Sequence, residues 1–401
     1  MDFYNLNNDE KKVLYHIQKN GPLTKKEILD ETPYKTGTLN RIITMLIDKK
    51  FITVCGQEES TGGRKPALFD IDVDHKYIIG IDISRTGYTV VLTDQKIKIL
   101  HSIRKRLNTF GDVSPAVILP GIYDTIDDIL AKQNIKTSSL SGIGVGMVGP
   151  VDHHTGITEN VMHFRSPGWS GFHLKANIES KFSIPVYVDC GSYVATLAEY
   201  LYGEARGQKS VSYVNCGIGI RSGFISSGVL IRSVNNDESS FEHTIINPMG
   251  ERCSCGKRGC VRCYASTFTI SENVRRRISL GEKSLIQKER DQIFYIDVVE
   301  AAEKGDEISI YELRTAGNYF GIALANYIIL LSPAMVIVGG ILARASVDFY
   351  DSAIMSAVAN CTTQSKMEVI FKQGGAFQEN SIAVGAAAMV FEKSIGSRII
   401  D

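Results

Sequence analysis

The sequence predicts an α/β protein with a small N-terminal helical module and a large body built in two similar rounds. Three observations carry this. Residues 1–75 hold three short helix-like stretches followed by two strand-like runs. Residues 76–401 read twice as three strands, helices and another strand, the order of a duplicated α/β domain with a cleft between lobes. Set into the second round is one short segment dense in cysteine and glycine.

The 401 residues suggest two or three domains, and 44% hydrophobic with 22% charged residues is an ordinary globular composition. Lys plus Arg number 44, as do Asp plus Glu. That balance does not exclude nucleic acid, because a local basic surface suffices. No run approaches about 20 apolar residues, so no transmembrane helix is expected. The start, Met1-Asp2-Phe3-Tyr4-Asn5, lacks the basic and apolar regions of a secretory signal. Of eight cysteines, three fall in one Cys-x-Cys-x4-Cys segment. A metal site in a reducing cytoplasm fits better than disulfides.

Val13, Leu14 and Ile17 give Asp9–Lys19 a helical spacing, stopped by Asn20-Gly21-Pro22. Thr24 and Glu27 form a capping box for a second helix carrying Ile28 and Leu29. A third helix spans 37–49, with Leu39, Ile42, Ile43, Leu46 and Ile47 on one stripe. Phe51–Val54 and Ala67–Ile71 read as strands around a polar, glycine-rich segment. Three helices and a hairpin are the layout of a winged helix. Its third helix would enter the major groove with Thr36, Thr38, Asn40, Arg41 and Thr44. Arg64 and Lys65 at the wing would meet phosphates or the minor groove. A helical docking module with a solvated face is the other reading.

In the body, Tyr77–Ile83, Gly87–Thr93 and Ile97–Ser102 read as strands, 115–132 as a helix and Ile143–Val148 as the next strand. The second round has a strand at Val211–Asn215, a hairpin over Gly219–Leu230, an apolar helix over Tyr311–Leu331 and a strand at Met335–Val338.

His243 precedes Cys253-Ser254-Cys255-Gly256-Lys257-Arg258-Gly259-Cys260. Three thiolates and one imidazole suit tetrahedral zinc, and four protein ligands leave no open position for water, so the expected role is structural. Cys263 reads as a buried apolar residue or as a substitute ligand.

The stretch Ser60-Thr61-Gly62-Gly63-Arg64-Lys65-Pro66 resembles the wing of the ROK family (repressors, open reading frames and kinases). That family also places its zinc on Cys-x-Cys-Gly-x-x-Gly-Cys with an upstream histidine. The resemblance covers essentially the whole chain. It implies a winged helix-turn-helix over residues 1–75 and then a two-lobed actin-like, sugar-kinase-like body, the ribonuclease-H-like duplication. The expected lobes are 76–199, with a C-terminal helix from 380–401 packing back, and 200–379 with the zinc site. The resemblance further implies a cytoplasmic repressor of carbohydrate-metabolism genes, dimeric or tetrameric, that binds double-stranded operator DNA and a sugar-derived effector.

Against the family's kinases, the chemistry is depleted. Their first hairpin reads Asp-x-Gly-Gly-Thr-Lys; here Asp82-Ile83-Ser84-Arg85-Thr86-Gly87 keeps the aspartate and threonine only. Cys216-Gly217-Ile218-Gly219 and Gly339-Gly340 match other family segments, yet also read as tight strand connections. The kinases' Asn-Asp pair, whose aspartate is the general base, falls on Cys190 and Gly191; a two-residue shift would place Asp189 there. The sugar-contacting positions become Arg165, Ser240 and Arg262, with His243 retained. Arg165 and Arg262 would bind an anionic sugar phosphate or acid, or else pair with local acids such as Glu242 or Glu251. Three functions follow: an inactive, ligand-sensing regulator; an active ATP-dependent sugar kinase using Asp189; and a regulator controlled by a protein partner.

Overall fold

The computed structural model describes residues 6–57, 65–107, 112–159, 166–362 and 369–400. The chain divides into two compact units, Met1–Asp189 with Ala383–Asp401, and Cys190–Ile382.

The first unit opens with helix α1 (Asn8–Asn20). Asn7 caps it, accepting from the Asp9 and Glu10 amides at 3.0 and 2.9 Å, while Glu10 returns to the Asn7 amide at 3.1 Å. After strand β1 (Leu23–Thr24) comes α2 (Lys25–Asp30), started by the expected box. The Glu27 amide donates to Thr24 Oγ1 at 3.3 Å and the Thr24 amide to Glu27 Oε2 at 2.7 Å. Those bonds from Thr24, its backbone amide first, hold the Glu27 carboxyl below its ordinary pKa. Helix α3 (Thr36–Asp48) buries Leu39, Ile42, Ile43 and Leu46. Ile47 lies at the margin of the stripe and is 36% exposed. Strands β2 (Ile52–Gln57) and β3 (Ala67–Ile71) pair antiparallel, giving a sheet of order β1-β3-β2. Three helices and this hairpin form the expected winged helix. The wing tip, including Arg64, lies outside the described residues.

The same unit continues with β4 (Tyr77–Ser84), β5 (Gly87–Asp94), β6 (Ile99–Arg106), α4 (Pro115–Lys132), β7 (Leu140–Met147), α5 (Leu174–Phe182) and β8 (Val186–Cys190). The sheet order is β6-β5-β4-β7-β8. β4 and β5 are buried along nearly their whole length because both faces are covered. β6 starts two residues later than the sequence suggests. Asp94 accepts from the Lys96 and Lys98 amides, and Ile97 sits at φ 63, so the chain is still turning there. A C-terminal helix (Ser381–Ile395) closes on β4 and β7. A Cβ on Gly80 would lie 1.9 Å from the Ala383 carbonyl oxygen, and one on Gly144 1.9 Å from that of Ala386. Glycine permits this approach of helix backbone to sheet.

The second unit contains α6 (Gly191–Tyr202), β9 (Ser210–Cys216), β10 (Ile220–Ser226), β11 (Val229–Ile231), α7 (Arg262–Ala265), α8 (Thr267–Ser279), α9 (Tyr295–Glu303), α10 (Glu307–Leu331), β12 (Met335–Gly339), α11 (Gly340–Ala345), α12 (Val347–Asn360) and β13 (Ile370–Gln373). Its sheet order, β11-β10-β9-β12-β13, repeats that of the first unit. β9–β10 is antiparallel and β9–β12 parallel, as are β4–β5 and β4–β7 respectively. Helix α6 belongs here rather than before the lobe boundary drawn from sequence at 199. It packs on β10 so closely that a Cβ on Gly223 would meet Thr196 Oγ1 at 2.2 Å. Helix α10 starts at Glu307 rather than Tyr311, because Asp306 caps it by accepting from the Ser309 amide at 3.0 Å and its hydroxyl at 2.6 Å.

Candidate metal centre, ligand site and DNA-reading helix

The metal-binding segment is a knuckle held by its own backbone. The Cys253 amide donates to the Lys257 carbonyl at 2.8 Å and the Gly256 amide to the Cys253 carbonyl at 3.0 Å. Gly256 and Gly259 have φ 89 and 77, and a Cβ on Gly259 would stand 1.7 Å from the Asn247 carbonyl oxygen. The turn therefore requires both glycines. It gathers one donor atom each from His243, Cys253, Cys255 and Cys260 within 4.8 Å of one another. His243 Nδ1 lies 3.6 Å from Cys253 Sγ, and Cys255 Sγ 3.6 Å from Cys260 Sγ. A tetrahedral zinc with Zn–S of about 2.3 Å and Zn–N of about 2.0–2.1 Å puts neighbouring ligand atoms roughly 3.6–3.8 Å apart. The set thus fits a tetrahedral metal ion. His243 Nε2 faces Glu242 Oε1 at 3.6 Å, the outer contact that orients a ligating ring. Burial holds the imidazole below its ordinary pKa, favouring the neutral ring a metal needs. Cys263 lies outside the four-residue set and donates to the Arg252 carbonyl at 3.7 Å.

Of the residues proposed to meet a ligand, Cys190, Gly191, Ser240, His243 and Arg262 all fall in the second unit. Arg165 lies outside the described residues. The nearby Trp169 is buried in the first unit and donates to the Val113 carbonyl at 2.8 Å. Helix α6 begins at Gly191, directly after the strand that ends in Asp189 and Cys190. The Cys190 thiol donates to the Asn236 carbonyl at 3.3 Å. Glu238, which sequence reasoning missed, caps this helix end, accepting from the Ser192 amide at 2.7 Å and from its hydroxyl. It also faces Arg221 Nε at 3.3 Å. Ser240 is exposed at the head of the short turn that carries His243. Arg262 donates through Nη1 to Glu242 Oε1 at 3.1 Å, and the Ile220 amide donates to Glu242 Oε2 at 2.8 Å. Glu242 is wholly buried. Of the two readings for Arg262, pairing with a local acid is the one this geometry contains.

The hairpin turns that would hold phosphates in a kinase are closed by hydrogen bonds within each turn. Ser84 Oγ donates to the Gly87 carbonyl at 3.0 Å. In the second turn the Gly217 amide donates to the Gly219 carbonyl at 3.0 Å, and Arg221 lies so near Gly219 that a Cβ there would be 2.4 Å from Arg221 Nη1. Gly340, at φ 83, joins β12 to α11 where a Cβ would stand 2.2 Å from the Cys216 carbonyl oxygen. These glycines serve tight connections.

On α3, Thr36, Asn40, Arg41 and Thr44 are exposed and Thr38 is half-buried, opposite the buried stripe. Asn40 Oδ1 accepts from Lys25 Nζ at 2.7 Å, and Thr44 donates to the Asn40 carbonyl at 3.0 Å. Among the described residues Arg41 has no ion-pair partner. Lys65 is exposed beside β3.

Two repeated five-stranded sheets with a Cys/His knuckle in the second unit define a two-lobed, actin-like body of the sugar-kinase type. The chain belongs to the ROK family, whose model matches residues 78–393. It is 26% identical over 329 residues to the xylose repressor of Bacillus spizizenii, covering 82% of this chain and 81% of that one. It is 27% identical over 274 residues to a glucokinase of Halalkalibacterium halodurans, covering 67% and 82% respectively. Its fold matches the crystal structure of a ROK family transcriptional regulator, a homologue of the E. coli MLC protein, with a TM-score of 0.81 at 20% identity, covering 96% of both chains. The proteins it resembles thus include both repressors and a kinase, and the likeness to that crystal structure extends over the N-terminal module.

Proposed function

We propose that this protein is a transcriptional repressor of carbohydrate-metabolism genes that binds operator DNA through the winged helix and responds to a sugar. The observation that carries the reading is α3: a buried apolar stripe backed by an exposed face of short polar side chains and Arg41. That is the chemistry of a major-groove reader, in which arginine meets guanine and small polar groups approach base edges. Lys65 and Arg64 would supply phosphate or minor-groove contacts. The xylose repressor supports the same reading by similarity. The protein would act in the cytoplasm as a homodimer or a higher symmetric oligomer, since a two-fold operator needs paired modules.

The ion we assign to His243, Cys253, Cys255 and Cys260 is structural zinc. When bound, it would tie the turn carrying His243 to the segment leading into Arg262. The effector would contact this region together with Ser240 and the start of α6 at Cys190 and Gly191. An anionic effector would have to compete with Glu242 for Arg262, so a neutral sugar is the better match. Phosphoryl transfer is not part of the reading. Cys190 and Gly191 supply no base at the head of α6, and Ser84 fills the first hairpin turn.

The test is a gel-shift titration with a duplex that the full chain enriches from a random-sequence pool. Arg41→Ala should weaken binding by roughly 5- to 150-fold, about 1–3 kcal/mol, and relax base preference at one position. Equal binding by wild type and variant would remove α3 from the groove. ATP-dependent sugar phosphorylation abolished by Asp189→Asn would replace this reading with a kinase.

A further inference from the structure

The winged helix is joined to the first lobe by polar contacts of two kinds. Lys96, in the turn between β5 and β6, donates to both carboxylate oxygens of Asp70 in β3 at 2.9 and 2.8 Å, and to the Gly21 carbonyl at 3.5 Å. Gln18 of α1 donates to the Gln95 carbonyl at 3.4 Å. These contacts lie partly in solvent or involve uncharged groups. Lys19, near the end of α1, differs: its ammonium meets Glu392 of the C-terminal helix at 2.8 Å, where the Glu392 side chain is 0% exposed and that of Lys19 15%. Among the described residues Lys19 is the one cation paired with Glu392, and Glu392 Oε2 has no hydrogen-bond partner.

A fully buried carboxylate is tolerated when an opposite charge compensates it, and removing that partner is far more damaging than loss of a surface pair. Here the compensating charge comes from another module. The C-terminal helix is fixed to the first lobe through Gly80 and Gly144, where its backbone meets the sheet. Glu392 is therefore a fixed point, and it stays neutralised only while α1 is docked in one orientation. α1 in turn packs against α3 within the winged helix.

We propose that Lys19 and Glu392 form a positioning pair for DNA binding, fixing the orientation of the winged helix on the first lobe and hence the spacing at which two copies of α3 meet a two-fold duplex. This rests on the reading of the protein as a DNA-binding repressor. A module held at one angle selects half-sites at one separation, set by the helical repeat of about 10–10.5 base pairs; a loosened module accepts several. Neither residue touches DNA in this account.

The experiment uses the full chain, the duplex enriched by wild type, and the same duplex with about half a helical turn, roughly five base pairs, inserted at its centre. Wild type should prefer the uninserted duplex. Lys19→Met should cut that preference by about tenfold or more, with hydrogen exchange in α1 rising in parallel. Glu392→Gln removes the buried charge while keeping its volume, and should cut the preference by a smaller factor. It carries the test if Lys19→Met fails to fold. The double variant should be no worse than Lys19→Met alone, since the two changes act on one contact. A pair that served stability alone would lower the melting temperature and leave the spacing preference intact in both single variants; that result overturns the proposal. A wild-type chain that enriches no duplex overturns the DNA-binding reading and this proposal with it, whereas unchanged spacing preference with normal DNA binding overturns this proposal only.

Discussion

The two five-stranded sheets of this chain have one strand order and different uses. Each has an antiparallel hairpin joined to a parallel strand, β4–β5 with β7 and β9–β10 with β12. In the first, the hairpin turn is sealed by Ser84 on Gly87, and the C-terminal helix presses onto Gly80 and Gly144. In the second, the turn holds Arg221 against Gly219, and the neighbouring Glu242 gathers Arg262, the Ile220 amide and His243. Strand order repeats because burial on both faces and the hairpin connections dictate it. Chemistry sits in the turns and insertions, which change without altering the sheet. The first lobe reads as a rigid mount, and the second as the part whose local structure rests on charge pairs and on a Cys/His set that fits a metal ion.

The largest expected effect separates the lobes by their need for that ion. Stripping the metal with a chelator, or making Cys253→Ser, should unfold the knuckle around residues 243–262. Apparent binding energies of structural zinc reach about 10–16 kcal/mol in small domains, so the loss exceeds any single side-chain contact. Hydrogen exchange should rise across the knuckle and α7 while β4, β5 and β7 keep their protection. Exchange that rises equally in both sheets would break the comparison.

Next in size is a change in the mount. Gly144→Val would push a side chain into the Ala386 carbonyl, and overpacking of this kind costs about 3 kcal/mol. Denaturant titration should show the loss, with metal content unchanged at one ion per chain. A variant that loses stability and metal together would mean that the lobes are not separable in this way.

How much of this was legible in the sequence follows the same division. Strands β4 and β12 were legible as largely apolar, β-branched runs, and the knuckle because its cysteines crowd one short segment. The start of β6 was not, since it depends on the Asp94 side chain binding two amides in the turn. The lobe that owns α6 was not either: a helix buried on nearly every side offers no single face to assign. Glu238 and Arg221 carry no motif. Their pairing exists only once β10 and the loop after β11 are folded, though a lone charged residue in a strand, Arg221, was a usable hint. The Arg262 reading needed its partner, Glu242, in three dimensions before pairing could be distinguished from a free anion site.

That last pair gives the third prediction. Glu242→Gln keeps a group able to bond the Ile220 amide but leaves Arg262 uncompensated, at a cost of about 2 kcal/mol. Calorimetry with a neutral sugar should then show weakened binding. The same variant should gain affinity for a sugar phosphate, because the freed guanidinium can take the anion. If wild type already binds the sugar phosphate more tightly than the neutral sugar, the charge balance drawn here for the second lobe is wrong.

The smallest effect tests whether the second lobe relies on charge away from its ion as well. Asp306 caps α10, the longest helix, and its carboxyl is pulled both ways. Burial pushes its pKa up, but bonds from the Ser309 hydroxyl and from the Leu285 and Ser309 amides outweigh burial and hold it below the ordinary value. A carboxyl whose folded pKa is depressed contributes stability that is present above its unfolded pKa, about 3.9, and is lost as pH falls through the folded value. Asp306→Ala should cost about 1 kcal/mol at neutral pH, measured by denaturant unfolding, and the gap from wild type should close as the pH drops below about 4. Asp306→Asn should recover part of the loss at neutral pH, since an amide oxygen still accepts from Ser309, and should show no narrowing with acid. A gap that stays constant in acid for the alanine variant would assign the cap to hydrogen bonding alone, and would leave the buried pairs around Arg221 and Arg262 as the charge-dependent part of this lobe away from the ion.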